Sequence, residues 1–158
     1  MPFIIGILHN PLFIAPALSW CIAQITKTII YVIINHEFRA ERIFGAGGMP
    51  SSHSATTCAL VAATACVYGS SGFELPMAFF FAFIVMYDAM GVRRETGEQA
   101  KVLNEMIADW RQRGKQLTSL EPMAYFKEFV GHTPLQVFFG AVLGVAVGLI
   151  TCHCLGVI

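Results

Sequence analysis

The sequence predicts an all-α integral membrane protein, built as a helical bundle with about four spanning helices and a cytoplasmic amphipathic helix. The 158 residues are 56% hydrophobic and only 13% charged, whereas soluble domains carry about 25% charged residues. The apolar residues cluster in four segments separated by polar loops, and the basic residues are confined almost entirely to two of those loops. A chain of this length forms one domain, so residues 1–158 are treated as a single membrane domain.

Four apolar segments are predicted to be the spans, at about residues 11–34, 52–68, 75–90 and 134–155. A helix needs about 20 apolar residues to cross the hydrocarbon layer. The first and last segments reach that length, whereas the two middle ones are shorter and are expected inside the bundle. In the last segment Gly140, Gly144 and Gly148 recur every four residues, a spacing that lets helix backbones approach closely in lipid. This row is therefore a predicted packing face.

The distribution of charge predicts the orientation in the cell membrane. All Lys and Arg residues except Lys27 lie in the polar stretches 35–51 and 91–133. Loops rich in Lys and Arg stay in the cytoplasm, and four spans place both stretches on the same side. We therefore expect a multi-pass protein with both chain ends outside and its polar loops inside. The formal net charge of zero argues against nucleic acid as a partner, because binding it requires an excess of basic residues.

The polar loop 91–133 is expected to be helical rather than irregular. Residues 95–113 form a predicted amphipathic helix that Gly114 ends, and a second short helix is predicted at 122–130. The first helix would lie against the bundle or the lipid headgroups. Its apolar side chains recur at helical spacing: Val102, Leu103, Met106, Ile107 and Trp110.

The first candidate cluster for chemistry is the segment Gly47-Gly48-Met49-Pro50-Ser51-Ser52-His53-Ser54. Two glycines free the backbone, Pro50 suits a first helical turn, and serines cap the helix that follows. Exposed N–H groups and the helix dipole then favour an anion, and a histidine in that turn could donate a proton to a leaving oxygen. Without a function, the same pattern is a glycine turn followed by a capped helix.

The second cluster closes the third apolar segment with Asp88, Arg93 and Arg94. Arginine forks match the geometry of phosphate and stay charged in any environment. The alternative is a pair of anchors on the positive side of the membrane. A carboxylate in an apolar run needs a partner, so Asp88 is expected to pair with one of the arginines.

The third cluster is Gly131-His132-Thr133-Pro134-Leu135-Gln136, where Thr133 and Pro134 suit a helix cap and first turn. Gln136 lies one turn beyond His132 and could accept a hydrogen bond from its imidazole. A histidine oriented in this way can act as a nucleophile. Lys27 adds a fourth piece, because an ammonium inside a membrane helix must pair or face a polar cavity. Together the four pieces suit an anionic substrate.

These motifs, in this order, resemble the divergent branch of the type 2 phosphatidic acid phosphatase superfamily, which joins lipid phosphatases, bacterial acid phosphatases and vanadium haloperoxidases. The resemblance covers about residues 24–148. It implies that His132 is the nucleophile that forms a phosphohistidine, that Gln136 orients it, and that His53 is the general acid. It also implies a set of phosphate-binding residues: Lys27, Ser51, the backbone at Ser52, and Arg93 or Arg94.

The chain departs from the superfamily pattern at three places. Ile34-Asn35 stands where the first motif has Arg-Pro, and an insertion of residues 95–130 splits the third motif. Gln136 is neutral where an aspartate is usual, so it stabilises an imidazolium less. These departures favour an alternative function: a catalytically impaired membrane protein that binds an anionic lipid or phosphate without hydrolysis.

The resemblance leads us to expect a cytoplasm-facing phosphatase that acts on a lipid phosphate or diphosphate. Phosphatidylglycerol phosphate, phosphatidic acid and polyprenyl diphosphate are candidate substrates, and membrane lipids are the expected surroundings. We expect no metal or other cofactor, because Arg, Lys and helix N-termini supply positive charge; vanadate would act as a phosphate analogue. A haloperoxidase is disfavoured because those proteins are soluble and larger. The short middle spans are compatible with a homo-oligomer.

Overall fold

In a computed structural model the chain forms an all-helical bundle. The structure describes residues 2–38, 40, 43, 45, 47–113, 125, 126, 128 and 130–158, and none of these forms a β-strand. The predicted fold class, a helical membrane bundle, is confirmed. The helices are Pro2–Leu8 (α1), Pro11–Asn35 (α2), Ser52–Tyr68 (α3), Glu74–Met90 (α4), Val92–Gln112 (α5) and Pro134–Cys154 (α6).

Three helical stretches among the described residues are long and apolar enough to cross a membrane: α2, the α4–α5 stretch and α6. The remaining predicted span corresponds to α3, which has 17 residues. Its length is therefore about 25 Å, whereas a hydrocarbon core is about 30 Å thick. Helix α3 instead contacts α2, α4 and α6, and nine of its residues are buried. It is therefore surrounded largely by protein, and its Ala, Ser and Thr side chains suit close helix packing.

The glycine row of α6 is the surface that brings α6 against α3. Gly140, Gly144 and Gly148 are all buried. A Cβ atom at Gly140 would overlap the carbonyl oxygen of Ser51, and one at Gly144 would overlap the backbone of Ala55. The predicted packing face is confirmed, and it lets the two helices run side by side with their backbones in contact.

Replacing Gly144 by alanine should therefore destabilise the bundle. We expect Gly144→Ala to lower the free energy of unfolding by about 1–3 kcal/mol, because the added methyl group forces the helices apart. The free energy can be measured by denaturant unfolding in detergent micelles. Gly6→Ala is the matched control, since a Cβ atom there meets nothing within 4 Å. Equal stability changes in the two variants would contradict the steric explanation.

Helix α5 follows α4 after a single residue, Gly91, and thus begins three residues before the predicted start. The prediction of a helix in the polar loop is correct, and most of the apolar side chains that define its amphipathic pattern do not pack on the bundle. Of the five large apolar residues at helical spacing, Ile107 is buried and the other four are exposed: Val102 at 56%, Leu103 at 43%, Met106 at 50% and Trp110 at 41%. The face that is buried in the structure consists mostly of small residues: Gly97, Ala100, Asn104 and Ile107.

The small residues are buried because the chain returns along this side of α5 towards α6. A Cβ atom at Gly97 would lie 2.7 Å from the carbonyl oxygens of both Glu128 and Val130, so the returning backbone touches the helix directly. Only small side chains permit that approach. Residues 125, 126, 128 and 130 are not helical; the rest of the short helix predicted at 122–130 lies outside the described residues, as does Gly114.

Candidate active site

Helices α3 and α6 begin next to each other, and each has a side-chain cap. The Ser51 hydroxyl accepts the N–H of Ser54 at 3.3 Å, and Thr133 forms a reciprocal capping box with Gln136. The Ser51 N–H donates to the carbonyl oxygen of Gln136 at 3.0 Å, which ties the two helix starts together. The predicted caps are therefore present. Pro50, however, precedes the cap of α3 instead of occupying its first turn, because α3 begins at Ser52.

The two histidines of the site are in direct contact. Nδ1 of His53 lies 3.2 Å from Nε2 of His132, and the ring centroids are 5.4 Å apart. Nδ1 of His132 lies 3.2 Å from Oε1 of Gln136, which is the predicted hydrogen bond. The same Oε1 accepts the backbone N–H of Thr133 at 3.2 Å, so an oxygen, not the amide nitrogen, faces the imidazole.

This arrangement determines which nitrogen of His132 is free to react. Since Oε1 of Gln136 can only accept, Nδ1 of His132 carries the proton, and Nε2 of the neutral ring carries the lone pair. His53 then donates from its Nδ1 to that lone pair. A chain of hydrogen bonds therefore runs from His53 through His132 to Gln136.

Backbone contacts hold His132 between α4 and α6. Its side chain is only 2% exposed, and its N–H donates to the carbonyl oxygen of Ala89 at 2.9 Å. The preceding residue, Gly131, has a φ of +89°, and a Cβ atom there would overlap the backbone of Arg93 and Arg94. Glycine is needed at 131 both for its backbone conformation and for this close approach.

Burial lowers the pKa of His132 to about 4. The hydrogen bond to Gln136 opposes this effect, while the positive charges of His53 and Lys27 add to it. A lowered pKa means that the imidazole becomes protonated only as the pH falls towards 4. At neutral pH His132 therefore keeps the Nε2 lone pair that a nucleophile requires.

Lys27 lies in a buried layer behind the glycine turn. Its side chain is 6% exposed, and Nζ donates to the carbonyl oxygen of Gly45 at 2.8 Å and to the hydroxyl of Ser52 at 3.4 Å. A Cβ atom at Gly48 would lie 3.7 Å from Cδ of Lys27. The lysine thus supplies buried positive charge next to the start of α3, in agreement with the expectation that it pairs or faces a polar site.

The two arginines have different surroundings. Arg93 forms an ion pair with Asp88, which confirms the predicted partner of that carboxylate. Arg93 also lies within electrostatic range of His53, together with Lys27. Arg94 borders a cavity beside His132. The arginine at the cavity is therefore Arg94, and Arg93 is held to the end of α4.

The cavity has a volume of about 180 Å³ and opens next to His132. Among the candidate residues, His132, Gln136 and Arg94 line it, while His53 reaches it through His132. Ser51 is fully buried, with its hydroxyl used as a cap, and Ser52 contacts Lys27. The complete lining is Gly47, Gly48, Arg94, Glu98, Lys101, Glu128, Val130, Gly131, His132, Thr133 and Gln136.

Four polar residues of this region were not among the candidates. Glu98, Lys101 and Glu128 line the cavity, with Lys101 and Glu98 paired at 3.1 Å. Asn104 is buried on α5 and donates to Glu128. A sequence signal for Asn104 does exist: it is the polar member of the helical series 97, 100, 104 and 107, whose other members are small or apolar. Within the described part of the chain, no group of three or more His, Cys, Asp and Glu side chains is placed to hold a metal ion.

Comparison with known proteins agrees with the motifs. A model of the divergent PAP2 family matches residues 8–147. The chain is also similar to the uncharacterized membrane protein YuiD of Bacillus subtilis, with 34% identity over 137 residues that cover 83% of this chain and 87% of that protein. No solved structure matches the chain.

Proposed function

The chain belongs to the divergent PAP2 family, and we propose that it is a membrane-embedded phosphatase that removes phosphate from a lipid phosphate or diphosphate. The observation that carries this proposal is the pairing of His53 with Nε2 of His132 at 3.2 Å. One imidazole presents a lone pair, the other can deliver a proton, and the cavity beside them is lined by Arg94. Such an arrangement suits phosphoryl transfer to histidine.

The proposed reaction has two steps. In the first, Nε2 of His132 attacks phosphorus, the bond to the leaving oxygen breaks, and protonated His53 gives that oxygen its proton. The phosphate must displace the His53–His132 hydrogen bond as it enters, and its negative charge favours the protonated form of His53. In the second step water attacks the phosphorus of the phosphohistidine, the bond from phosphorus to Nε2 of His132 breaks, inorganic phosphate leaves, and His53 takes the proton of that water. Arg94 and Lys27 offset the charge of the transferring group.

An amphiphilic substrate is favoured by the position of the site. The nucleophile lies just before α6 and the acid in the first turn of α3, so both are at one end of the bundle. A phosphate at a membrane surface can reach that end while its acyl or prenyl chains stay in lipid. Because the basic loops flank this end, we propose that it faces the cytoplasm.

The second candidate function is binding of an anionic lipid or phosphate without hydrolysis. It is favoured by Gln136, a neutral residue where a carboxylate would stabilise the imidazolium, and by the replacement of Arg-Pro by Ile34-Asn35. Both candidates use the same cavity. The two functions differ in whether the bound lipid phosphate is hydrolysed to release inorganic phosphate.

Phosphate release from purified protein separates these functions. Phosphatidylglycerol phosphate, phosphatidic acid and polyprenyl diphosphate should be tested in mixed micelles, with and without vanadate. We expect turnover of at least one of them and inhibition by vanadate, which adopts the geometry of the transition state. Binding of these lipids with no phosphate release would instead support the second function.

The orientation can be tested with an impermeant aryl phosphate and sealed vesicles made from cells that produce the protein. We expect hydrolysis by inside-out vesicles and none by right-side-out vesicles. The opposite result would place the site on the outer face. Vesicles opened with detergent serve as the control for total activity.

A further inference from the structure

The chain is anchored at one buried amide immediately before it reaches His132. Asn104 on α5 is 7% exposed, and its side chain makes three hydrogen bonds to the returning segment. Nδ2 donates to the carbonyl oxygen of Phe126 at 2.9 Å and to Oε1 of Glu128 at 2.8 Å. Oδ1 accepts the N–H of Phe126 at 2.9 Å. Both ends of the amide are thus used.

The hydrogen bonds of Asn104 hold a part of the chain that has no regular secondary structure. Residues 125, 126, 128 and 130 are not helical, so their backbone groups obtain no helical hydrogen bonds. Gly97, two turns before Asn104, lets the same segment lie directly on α5. Without the amide, the backbone carbonyl and N–H of Phe126 would lose the hydrogen bonds that Asn104 gives them.

The anchored segment also forms one wall of the cavity, through Glu128 and Val130. The two residues that follow Val130 make close contacts of their own. Gly131 lies against the backbone of Arg94, and the N–H of His132 donates to the carbonyl oxygen of Ala89. The first contact tolerates little displacement, since a Cβ atom at Gly131 would overlap the backbone nitrogen of Arg94. A wall that shifted by about 1 Å would move the imidazole away from His53, and such misplacement costs on the order of 10²-fold in rate.

We propose that Asn104 is a positioning residue for His132: its amide fixes Phe126 and Glu128 on α5 so that the imidazole meets His53. The catalytic consequence rests on the proposed phosphatase function, whereas the position of the imidazole does not. Asn104 touches no reacting group itself. The 95–130 insertion is thereby part of the site, because it supplies the surface that aims the nucleophile.

The test uses the full-length protein in micelles and the variants Asn104→Ala and Gln99→Ala. Gln99 is an exposed amide on the same helix, so its removal controls for loss of an amide from α5. With a lipid phosphate that the wild type hydrolyses, we expect Asn104→Ala to lower kcat by about 10- to 100-fold. KM should stay within about twofold, because Arg94 and Lys27 remain.

A second readout does not depend on turnover. In protein with ¹⁵N-labelled histidine, the hydrogen bond between His53 and His132 should give a scalar coupling between Nδ1 and Nε2. We expect the coupling in the wild type and in Gln99→Ala, and its loss in Asn104→Ala. If the wild type hydrolyses no lipid phosphate, the proposed function fails while this coupling still decides the role of Asn104. Persistence of the coupling in Asn104→Ala overturns the positioning role, whatever happens to kcat.

Should Asn104→Ala fail to fold, Asn104→Asp replaces it in both measurements. Aspartate keeps an acceptor for the N–H of Phe126 but cannot donate to Phe126 or Glu128. We expect it to fold and to weaken the coupling and kcat together. A folded Asn104→Asp protein with both values unchanged would equally overturn the proposal.

Discussion

His132→Ala is expected to abolish phosphate release, with kcat lowered by at least about 10³-fold. The substitution removes the Nε2 lone pair, and His53 is poorly placed to replace it because it is not among the residues that line the cavity. Loss of a nucleophile is among the most costly single changes that an enzyme can suffer. The measurement is inorganic phosphate released from the lipid phosphate that the wild type turns over fastest.

His153→Ala is the matched control, because His153 is exposed near the end of α6, about 30 Å of helix away from the site. It should keep wild-type turnover. Since His132 is buried, His132→Gln provides a variant of similar volume that cannot form a phosphohistidine, and its unfolding transition shows whether the bundle persists. A folded His132→Gln protein with wild-type kcat would rule out the nucleophile assignment.

His53→Ala is expected to have a second large effect that depends on the leaving group. General acid catalysis contributes about 10²- to 10⁴-fold, so release from a lipid phosphate, whose alkoxide is a poor leaving group, should fall by that factor. An aryl phosphate leaves as a stable phenolate and needs little protonation. Its hydrolysis should fall by less than about 10-fold.

The ratio of the two rates is what identifies the acid. Steric damage to the cavity would lower both rates together, and so would loss of the hydrogen bond that His53 gives to His132. Equal losses for the lipid phosphate and the aryl phosphate would therefore show that His53 positions the nucleophile without protonating the leaving group.

Much of the fold could be predicted because lipid imposes simple rules on a sequence. Apolar segments gave the helices to within a few residues, and glycines four apart gave the α3–α6 contact. The caps at Ser51 and Thr133 follow from local side-chain chemistry, which needs no tertiary information. His132 and Gln136 could be paired for the same reason, since His132 directly precedes the helix cap and Gln136 lies one turn further along.

The buried face of α5 could not be predicted by hydrophobic periodicity. In water a helix buries its large apolar side chains, but here the neighbour is a backbone segment, and close contact with backbone selects Gly97 and Ala100 instead. Leu103 and Trp110 consequently remain exposed. The different surroundings of Arg93 and Arg94 could not be predicted either. Adjacent residues on a helix point in different directions, and only the tertiary structure shows that Asp88 pairs with Arg93.

The glycine row has a further consequence, which concerns the register between two parallel helices. Gly140, Gly144 and Gly148 face Ser51, Ala55 and Ala59, a constant offset along both chains. A slide of α6 by four residues, about 6 Å, would mesh the same small residues again while carrying His132 out of reach of His53. The glycine row alone is thus compatible with several registers of α6 against α3. The hydrogen bond from the Ser51 N–H to the carbonyl oxygen of Gln136 favours the register in which the two imidazoles meet.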